Sequence, residues 1–506
     1  MLGSRSARLV RHDPEVPRSQ GSRRQRPVTP AAVKLPLRIK LGNGFGSVAY
    51  GVKDNGFSTL LLLFYSQVLG LEASLVGLIL LVALLLDALV DPLVGYWSDK
   101  THGRWGKRHP WMYAAILPIA LAWIMLWHPP EAASDWLYGY LLLFAFLMRA
   151  AVSCYEIPAL SVVPGLTTDY DERTSITRWR FVFAWAGGLL MLTLAFGVFL
   201  VPSERYPVGQ LNIDGYQLYG WTGAALLVVA TFVSAITTHR RIAKLDSSPP
   251  VHLPLGETVR KIRKTLANRA FLILLGSTLL AYANNGLTHS AATYIMTYYW
   301  EMPQAGFMAY SFSLFAGVVG AFLLVGFLQN RIEKKTGAVA MWIGSLILGV
   351  LPYILRLTGG FPENSDPILI PLLFTLVTIS NALAVAGSML VQSMAADIIE
   401  MSQEQTGERS EGLFFSAYFF TQKCATGLGI FLTGLIISLS GFPKKARPGE
   451  VAGTVLTDLS IYYLIAVIII AVVNILIIAR FPITREDHER RIARLSGAIE
   501  PAATSP

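Results

Sequence analysis

Long apolar stretches alternate with short polar segments along the whole chain. About 20 helical residues cross a hydrocarbon core ~30 Å thick, and twelve apolar stretches reach that length. Because the backbone groups of a lipid-embedded segment must be hydrogen-bonded internally, all twelve are expected to be helices. The pattern therefore predicts an all-α polytopic membrane protein with 12 transmembrane helices. The approximate spans are 44–69, 73–97, 110–128, 136–165, 179–202, 218–238, 269–298, 307–328, 339–358, 367–398, 412–439 and 458–480.

The longest internal polar connection follows the sixth span and divides the chain into two six-helix bundles. The bundles have related loops: GYWSDKTHGRWGKR (95–108) corresponds to GFLQNRIEKKTG (326–337), and DERTSITR (171–178) corresponds to GERSEG (407–412). Two parallel repeats with a binding site between them near the midplane are typical of transporters. The predicted domains are a disordered basic tail at 1–43, the bundles at 44–238 and 269–480, the central loop at 239–268, and a tail at 481–506.

Composition agrees with a membrane protein and excludes other classes. The chain is 53% hydrophobic and 15% charged, with mean hydropathy +0.50, whereas soluble domains carry about 25% charged residues. Only two cysteines occur, both in apolar stretches, so neither a disulfide framework nor a Cys/His metal site is expected. The phosphate-binding pattern GxxxxGK[ST] is absent from the sequence, which argues against ATP hydrolysis. We therefore expect no cofactor and no structural metal.

Lysine and arginine fall mainly on one side of the predicted bundle. With the N-terminus inside, 34 of the 42 basic residues lie in inside segments and five in outside loops. The positive-inside rule then places both termini in the cytoplasm. The same bias accounts for the net charge of +10, so a nucleic-acid partner is not expected.

Seven charged residues that lie well inside the predicted spans, away from the span ends, are the candidate chemistry. A charge at the bilayer centre costs about 2.5–3.5 kcal/mol on insertion scales, so these groups must pair, hydrate in a cavity or bind an ion. Four are acids and three are bases, and one monovalent cation or one shared proton would neutralise the set. They are Lys53, Asp54, Asp87, Asp91, Arg149, Glu156 and Lys423.

Asp87 and Asp91 are four residues apart, so both project from one face of a helix, about 5–6 Å apart. Two like charges at that distance destabilise each other, and a bound cation or proton relieves the repulsion. The hydroxyl of Ser153 and a carbonyl freed by Pro92 could complete a cation site. The alternative is that the aspartates only lock helices together through basic side chains on neighbouring spans, Arg149 or Lys423.

Lys53, Asp54, Arg149 and Glu156 are candidate ligands for a hydroxyl-rich substrate, because charge-assisted hydrogen bonds are the stronger kind. The alternative for Glu156 is a salt bridge with Arg149 or Arg180. The opposite wall of the cavity would be formed by polar residues of the C-terminal bundle, each of which could instead make an interhelical hydrogen bond. These are Asn284, Asn285 and His289 in the seventh span, and Asn381 and Gln392 in the tenth.

Charged residues in two inside loops are expected to form a cytoplasmic gate. The charged residues of the loop 98–111 would pair with those of DERT in the next inside loop, and these pairs would separate when the cytoplasmic side of the transporter opens. The predicted gate residues are Asp99, Arg104, Lys107, Arg108, Asp171, Glu172, Arg173 and, in the corresponding loop of the second half, Arg409.

These motifs together resemble the glycoside–pentoside–hexuronide:cation symporter family of the major facilitator superfamily, over about 44–480. The resemblance is carried by KD at 53–54, DALVDPLVGYWSDKTHGRWGKRHPW at 87–111, EIPALSVVPGLTTDYDERT at 156–174, TGERSEG ending at Gly412, and Lys423. It implies the major facilitator fold and alternating access.

By position, the resemblance implies that Asp87 and Asp91 are coupling-cation carboxylates and that Lys423 links the two halves at that site. It implies sugar binding by Asp54, Glu156 and Arg180. This chain departs from the family pattern in four places: Glu156 is one methylene longer than the sugar carrier's aspartate, Leu160 replaces a stacking tryptophan, Val90 offers no side-chain oxygen, and Arg149 is an additional charge.

The sequence therefore predicts a monomeric, multi-pass symporter of a bacterial inner membrane that couples Na⁺ or H⁺ to a sugar- or glycoside-type solute. Three alternatives stay open. A sodium-dependent lysophospholipid carrier would share the fold. A structural or sensory protein would transport no solute across the membrane. An intramembrane enzyme would depend on His289, although no nucleophile or metal partner accompanies that residue in the sequence.

Overall fold

The computed structural model describes residues 35–101, 103–167, 169–242, 268–328, 331–406 and 411–482. Most of the predicted basic tail, most of the central loop and the C-terminal tail lie outside these residues. The predicted disorder of the basic tail concerns residues 1–34, which the structure does not describe.

Twelve helical spans follow the order of the apolar stretches. The first span, α1, is a succession of helical segments, Leu37–Phe45, Val48–Asn55, Gly56–Leu60, Leu61–Leu63 and Phe64–Val68, of which the third and fifth are π-helical turns. The other spans are α2 (Ala73–Lys100), α3 (His109–Trp127), α4 (Leu137–Leu166), α5 (Tyr170–Leu194), α6 (Ile213–Ile242), α7 (Arg269–Tyr294), α8 (Gln304–Leu328), α9 (Lys334–Leu357), α10 (Leu369–Thr406), α11 (Glu411–Leu439) and α12 (Gly453–Ile478). Short π-helical turns, Ala195–Phe199 and Ile295–Tyr299, extend α5 and α7.

The predicted fold class is confirmed. Among the described residues, eleven helices are long and apolar enough to cross a membrane, and the segmented α1 supplies the twelfth span. One boundary differs from expectation: helix begins at Leu37, so residues 37–43 belong to α1 and not to the predicted tail. The amide of Leu35 and the ammonium of Lys40 fix this start by bonding to Glu172 at the beginning of α5.

The N-terminal half (α1–α6) and the C-terminal half (α7–α12) meet along α2 and α11 and along α1 and α7. The α2–α11 contact depends on small residues. At Gly434 a Cβ atom would stand 2.2 Å from the carbonyl oxygen of Ala73, so only glycine permits this approach.

We call the end where α2, α4, α8 and α10 terminate the basic side, and the opposite end the far side. Hydrogen bonds between the halves cluster toward the far side. Gln67 donates to the carbonyl of Pro443 at 3.3 Å and accepts from the amide of Ala446 at 3.1 Å. The hydroxyls of Ser66 and Tyr294 are also bonded, and the amide of Ser74 donates to Ser438 at 3.1 Å. The halves are thus held together at the far side.

Candidate functional site

The candidate site lies where α2, α4 and α11 meet. Asp87 and Asp91 are one turn apart on α2, and Arg149 and Ser153 are one turn apart on α4. Lys423 projects from α11 of the other half. This spacing aligns each pair on one face of its helix, as the i, i+4 relation requires. The structure therefore brings together both predicted carboxylates and three of their predicted partners.

Asp87 is completely buried, and both of its carboxylate oxygens accept hydrogen bonds. Its Oδ2 accepts from Nε of Arg149 at 3.0 Å and lies 3.0 Å from Nη2 of the same guanidinium. The ammonium of Lys423 lies 3.1 Å from Oδ2, and the hydroxyl of Ser153 donates to Oδ1 at 2.8 Å. Arg149 is 2% exposed and lies over the ring of Phe57, 5.3 Å from its centroid.

Asp91 has a more open environment. Its Oδ2 accepts from Nζ of Lys423 at 2.6 Å, while its buried Oδ1 has no hydrogen-bond partner. The side chain is 24% exposed, compared with 1% for Asp87. Lys423 thus joins the two aspartates of one half to the other half of the molecule.

We call Asp87, Asp91, Arg149 and Lys423 the midplane cluster. Two acids face two bases, so the cluster is neutral when all four are charged. In this conformation the aspartates make the locking contacts that the alternative interpretation foresaw, through both Arg149 and Lys423. Cation binding between the aspartates stays a prediction.

Next to the midplane cluster lie the candidate substrate residues. Lys53 is buried, with its ammonium 4.6 Å from the centroid of the Tyr50 ring, and interacts electrostatically with Asp54, Asp87 and Glu156. Glu156 interacts with Arg180 and Asp91 as well. Among the described residues Arg149 pairs with Asp87, and not with Glu156 as one alternative interpretation proposed.

From the C-terminal half, α7 approaches these residues. His289 and Tyr282 both interact electrostatically with Asp54. Asn284 has a buried side-chain oxygen without a hydrogen-bond partner, whereas Asn285 is exposed. The side chains of Asp54, Glu156 and His289 are half-buried, which leaves them partly accessible.

Two predicted substrate residues make hydrogen bonds within the protein in this conformation. Asn381 donates to the carbonyl of Leu314 at 3.2 Å and so joins α10 to α8, as the interhelical alternative anticipated. Arg180 is 7% exposed and donates to the side-chain oxygen of Asn43 at 3.4 Å.

Three of the predicted gate residues, where the structure describes them, pair within one loop or with α1. Asp99 pairs with Arg108 of its own loop, and Arg108 also donates to Ser98 at 2.8 Å. Glu172 binds Lys40 of α1 at 2.8 Å.

The other gate residues have separate environments. Arg173 donates to the carbonyls of Thr167 and Pro164 and so satisfies the end of α4. Arg104 is exposed and Lys107 is half-buried. The side chain of Asp171 and the whole of Arg409 lie outside the described residues.

Sequence reasoning missed the aromatic neighbours of the buried cations, Tyr50 and Phe57. Tyr50 stands three residues before Lys53, on the same helix face, so helical spacing could have found it. Phe57 meets Arg149 across α1 and α4, a contact without a local sequence signal. Within the described residues, no three His, Cys, Asp or Glu side chains are grouped to hold a metal ion.

Comparison with known proteins agrees with this arrangement. A family model described as MFS/sugar transport protein matches residues 42–485. The chain belongs to this family. The match confirms the resemblance found in the sequence, and membership makes the chain an integral membrane protein of a transporter family.

Three known proteins are similar to this chain along most of their length. A putative glycoside/cation symporter of Escherichia coli is 25% identical, with 83% of this chain and 87% of the relative covered. An isoprimeverose transporter of Lactiplantibacillus pentosus is 26% identical, with 81% of each chain covered. An uncharacterized symporter of Synechocystis is 27% identical, with 83% and 88% covered.

Solved structures confirm the major facilitator fold. A nucleoside transporter, NupG, in mutant form, aligns with TM-score 0.60 and 15% identity over 87% of this chain and 99% of that chain. The inward-open xylose transporter XylE from E. coli aligns with TM-score 0.55 and 14% identity over 90% and 99%.

Proposed function

We propose that this protein is a cation-coupled secondary transporter that moves a sugar- or glycoside-type solute by alternating access. The observation that carries the proposal is Lys423, whose ammonium binds Asp87 and Asp91 of the opposite half. A monovalent cation or proton arriving at these carboxylates must weaken a bond that joins the halves. Ion binding and movement of the halves are thereby linked.

The substrate would bind beside this cluster. Asp54, Glu156 and Lys53 offer charged acceptors and a donor to hydroxyl groups, and His289 and Asn284 approach from α7. Because Lys53 and Glu156 interact electrostatically with the midplane cluster, a change at the ion site alters the affinity for substrate. Linkage requires the reverse effect to be equally large.

The hydrogen bonds at the far side support the direction of access. The far side is closed by Gln67 and Ser66, so solute would enter this conformation from the basic side. By the positive-inside rule that side is the cytoplasm, with both termini there and the protein in a bacterial inner membrane. We further propose that the protein acts as a monomer, without a resident cofactor or enzymatic turnover.

Reconstitution in proteoliposomes tests this function. Uptake of radiolabelled isoprimeverose, a phenyl glucuronide and lysophosphatidylcholine would be measured under imposed Na⁺, Li⁺ and H⁺ gradients. We expect gradient-driven uptake of a glycoside that is lost in Asp91→Asn and kept in Asp458→Asn, which changes an exposed aspartate on α12. Uptake of lysophosphatidylcholine alone would favour a lipid carrier. Equal glycoside uptake by folded Asp91→Asn would contradict coupling at α2.

A further inference from the structure

Arg149 is the feature of the midplane cluster that the proposed function does not explain. A carboxylate has about four positions at which it can accept hydrogen bonds. At Asp87 four donor atoms surround the carboxylate: two nitrogen atoms of Arg149 and the ammonium of Lys423 lie within 3.1 Å of Oδ2, and Ser153 donates to Oδ1. A metal cation bound to Oδ2 would have to displace one of these donors.

The guanidinium of Arg149 is not free to leave. Its side chain is 2% exposed and packs against the ring of Phe57. Arginine keeps its charge in proteins, and Asp87 is the acid that pairs with it among the described residues. Departure of Arg149 would leave its buried guanidinium without a carboxylate and would remove two contacts from Asp87, so the guanidinium is a fixed occupant of the position beside Asp87.

Asp91 retains the capacity to bind an ion, but only an ion that needs few ligands. One carboxylate oxygen, Oδ1, has no partner. The charged and titratable groups that face Asp91 are Asp87 on its own helix, Lys423 on α11, and Cys154 and Glu156 on α4. Hard metal cations take roughly six or more oxygen ligands, whereas a proton needs one oxygen atom.

The charge of the cluster points the same way. Arg149 and Lys423 already neutralise Asp87 and Asp91, so a metal ion would enter a neutral site that contains two fixed cations. A proton that binds Oδ1 of Asp91 removes the charge of that carboxylate and its attraction for Lys423. The ammonium then keeps its contact with Asp87, 3.1 Å away. Protonation therefore loosens the bond between α2 and α11 without adding a ligand shell.

We propose that Arg149 is a specificity-determining residue: it permanently occupies the cation position beside Asp87, excludes sodium and lithium, and confines ion coupling to a proton on Asp91. The inference rests on the transporter function proposed above and names its coupling ion. It also predicts that replacement of one side chain changes the ion that the site accepts.

Binding of ²²Na⁺ to the purified full-length protein tests the inference without any substrate. We expect no saturable binding by the wild type or by Arg149→Lys, which retains the positive charge. Arg149→Gln should acquire saturable binding, and the double variant Arg149→Gln/Asp87→Asn should lose it again. Saturable binding by the wild type would overturn the proposal, as would its absence from a folded Arg149→Gln protein.

Flux measurements extend the test to coupling. In proteoliposomes with a transported glycoside, sodium should leave wild-type uptake unchanged at fixed pH and raise Arg149→Gln uptake by ~10-fold, a typical coupling effect. Absence of flux in every variant would contradict the proposed transport function, while the sodium-binding comparison would still decide the role of Arg149. Sodium-driven uptake by the wild type would overturn the inference alone.

Discussion

The two halves share a fold but divide the chemistry unequally. The N-terminal half supplies Asp87, Asp91 and Arg149 to the midplane cluster, and Lys53, Asp54 and Glu156 beside it, whereas the C-terminal half supplies Lys423. In an 18-residue apolar stretch of each helix, 39–44% of the residues are buried in α2–α6, whereas only 22% are buried in α9 and α10. The difference teaches that one half carries the ion chemistry, while the other half responds to it through one ammonium group.

The largest effect is expected where the N-terminal half loses a buried counter-ion. Asp87→Asn leaves Arg149 buried without its carboxylate, and breaking one partner of a buried pair costs about 3–5 kcal/mol. The counterpart in the other half is Lys334, which binds Asp397 at 2.7 Å; Lys334 is 36% exposed and Asp397 is 7% exposed, so Lys334→Met should cost less, about 1–3 kcal/mol. Unfolding in detergent by denaturant would compare the two. Equal losses would contradict the proposed asymmetry.

The next effect concerns the contact between the halves. Gly434→Ala places a Cβ 2.2 Å from the carbonyl of Ala73, and such overpacking costs about 1–3 kcal/mol. Gly326→Ala on α8 is the matched control, because a Cβ there meets nothing within 4 Å. We expect a lower melting temperature and slower transport for Gly434→Ala only. If both variants behave alike, α2 and α11 do not pack as described.

A smaller effect is expected at the far side. Gln67→Leu removes two hydrogen bonds to the α11–α12 loop, each worth about 0.5–1.5 kcal/mol, and should increase the population open on that side. Labelling by a membrane-impermeant maleimide would report this opening at Thr297→Cys, in a protein with Cys154 and Cys424 replaced. Thr297 is only 3% exposed in this conformation. Unchanged labelling would show that Gln67 does not maintain closure.

The smallest effect tests whether the C-terminal half contributes to substrate recognition at Asn381. Because its amide bonds to Leu314 between α10 and α8, Asn381→Ala should cost about 0.5–1.5 kcal/mol of stability with an unchanged KM. Asp54→Asn is the comparison, and it should raise the KM with little loss of stability. A large increase in KM for Asn381→Ala would place substrate binding in both halves.

The sequence was sufficient for the spans and for the shared face of Asp87 and Asp91, because hydropathy and helical spacing are local properties. It could not decide which base Asp87 would bind, since Arg149 and Lys423 both lay within reach in principle and the rotation of α4 and α11 is set by packing. Both bases bind it. The Glu172–Lys40 pair joins residues 132 positions apart, so the local charge pattern suggested a different partner.

Breaks within helices were also beyond the sequence. The π-helical turns of α1 follow no proline, and the sequence GFSTL of Gly56–Leu60 gives no local signal for a change in helix type. Conversely, Asn381 was interpreted as a cavity residue because a polar side chain within a span has two uses, hydrogen bonding to a neighbouring helix or facing water. Only the relative rotation of α8 and α10 distinguishes them.

The hydrogen bonds that close the far side come from amides and hydroxyls, chiefly those of Gln67, Ser66 and Tyr294. Neutral donors and acceptors of this kind respond weakly to ionic strength and to acidity in the physiological range. Changes in ionic strength or pH would therefore have little effect on these hydrogen bonds. They would act on the conformational cycle through the carboxylates of the midplane cluster. Sensing and closing are assigned to separate depths of the bilayer.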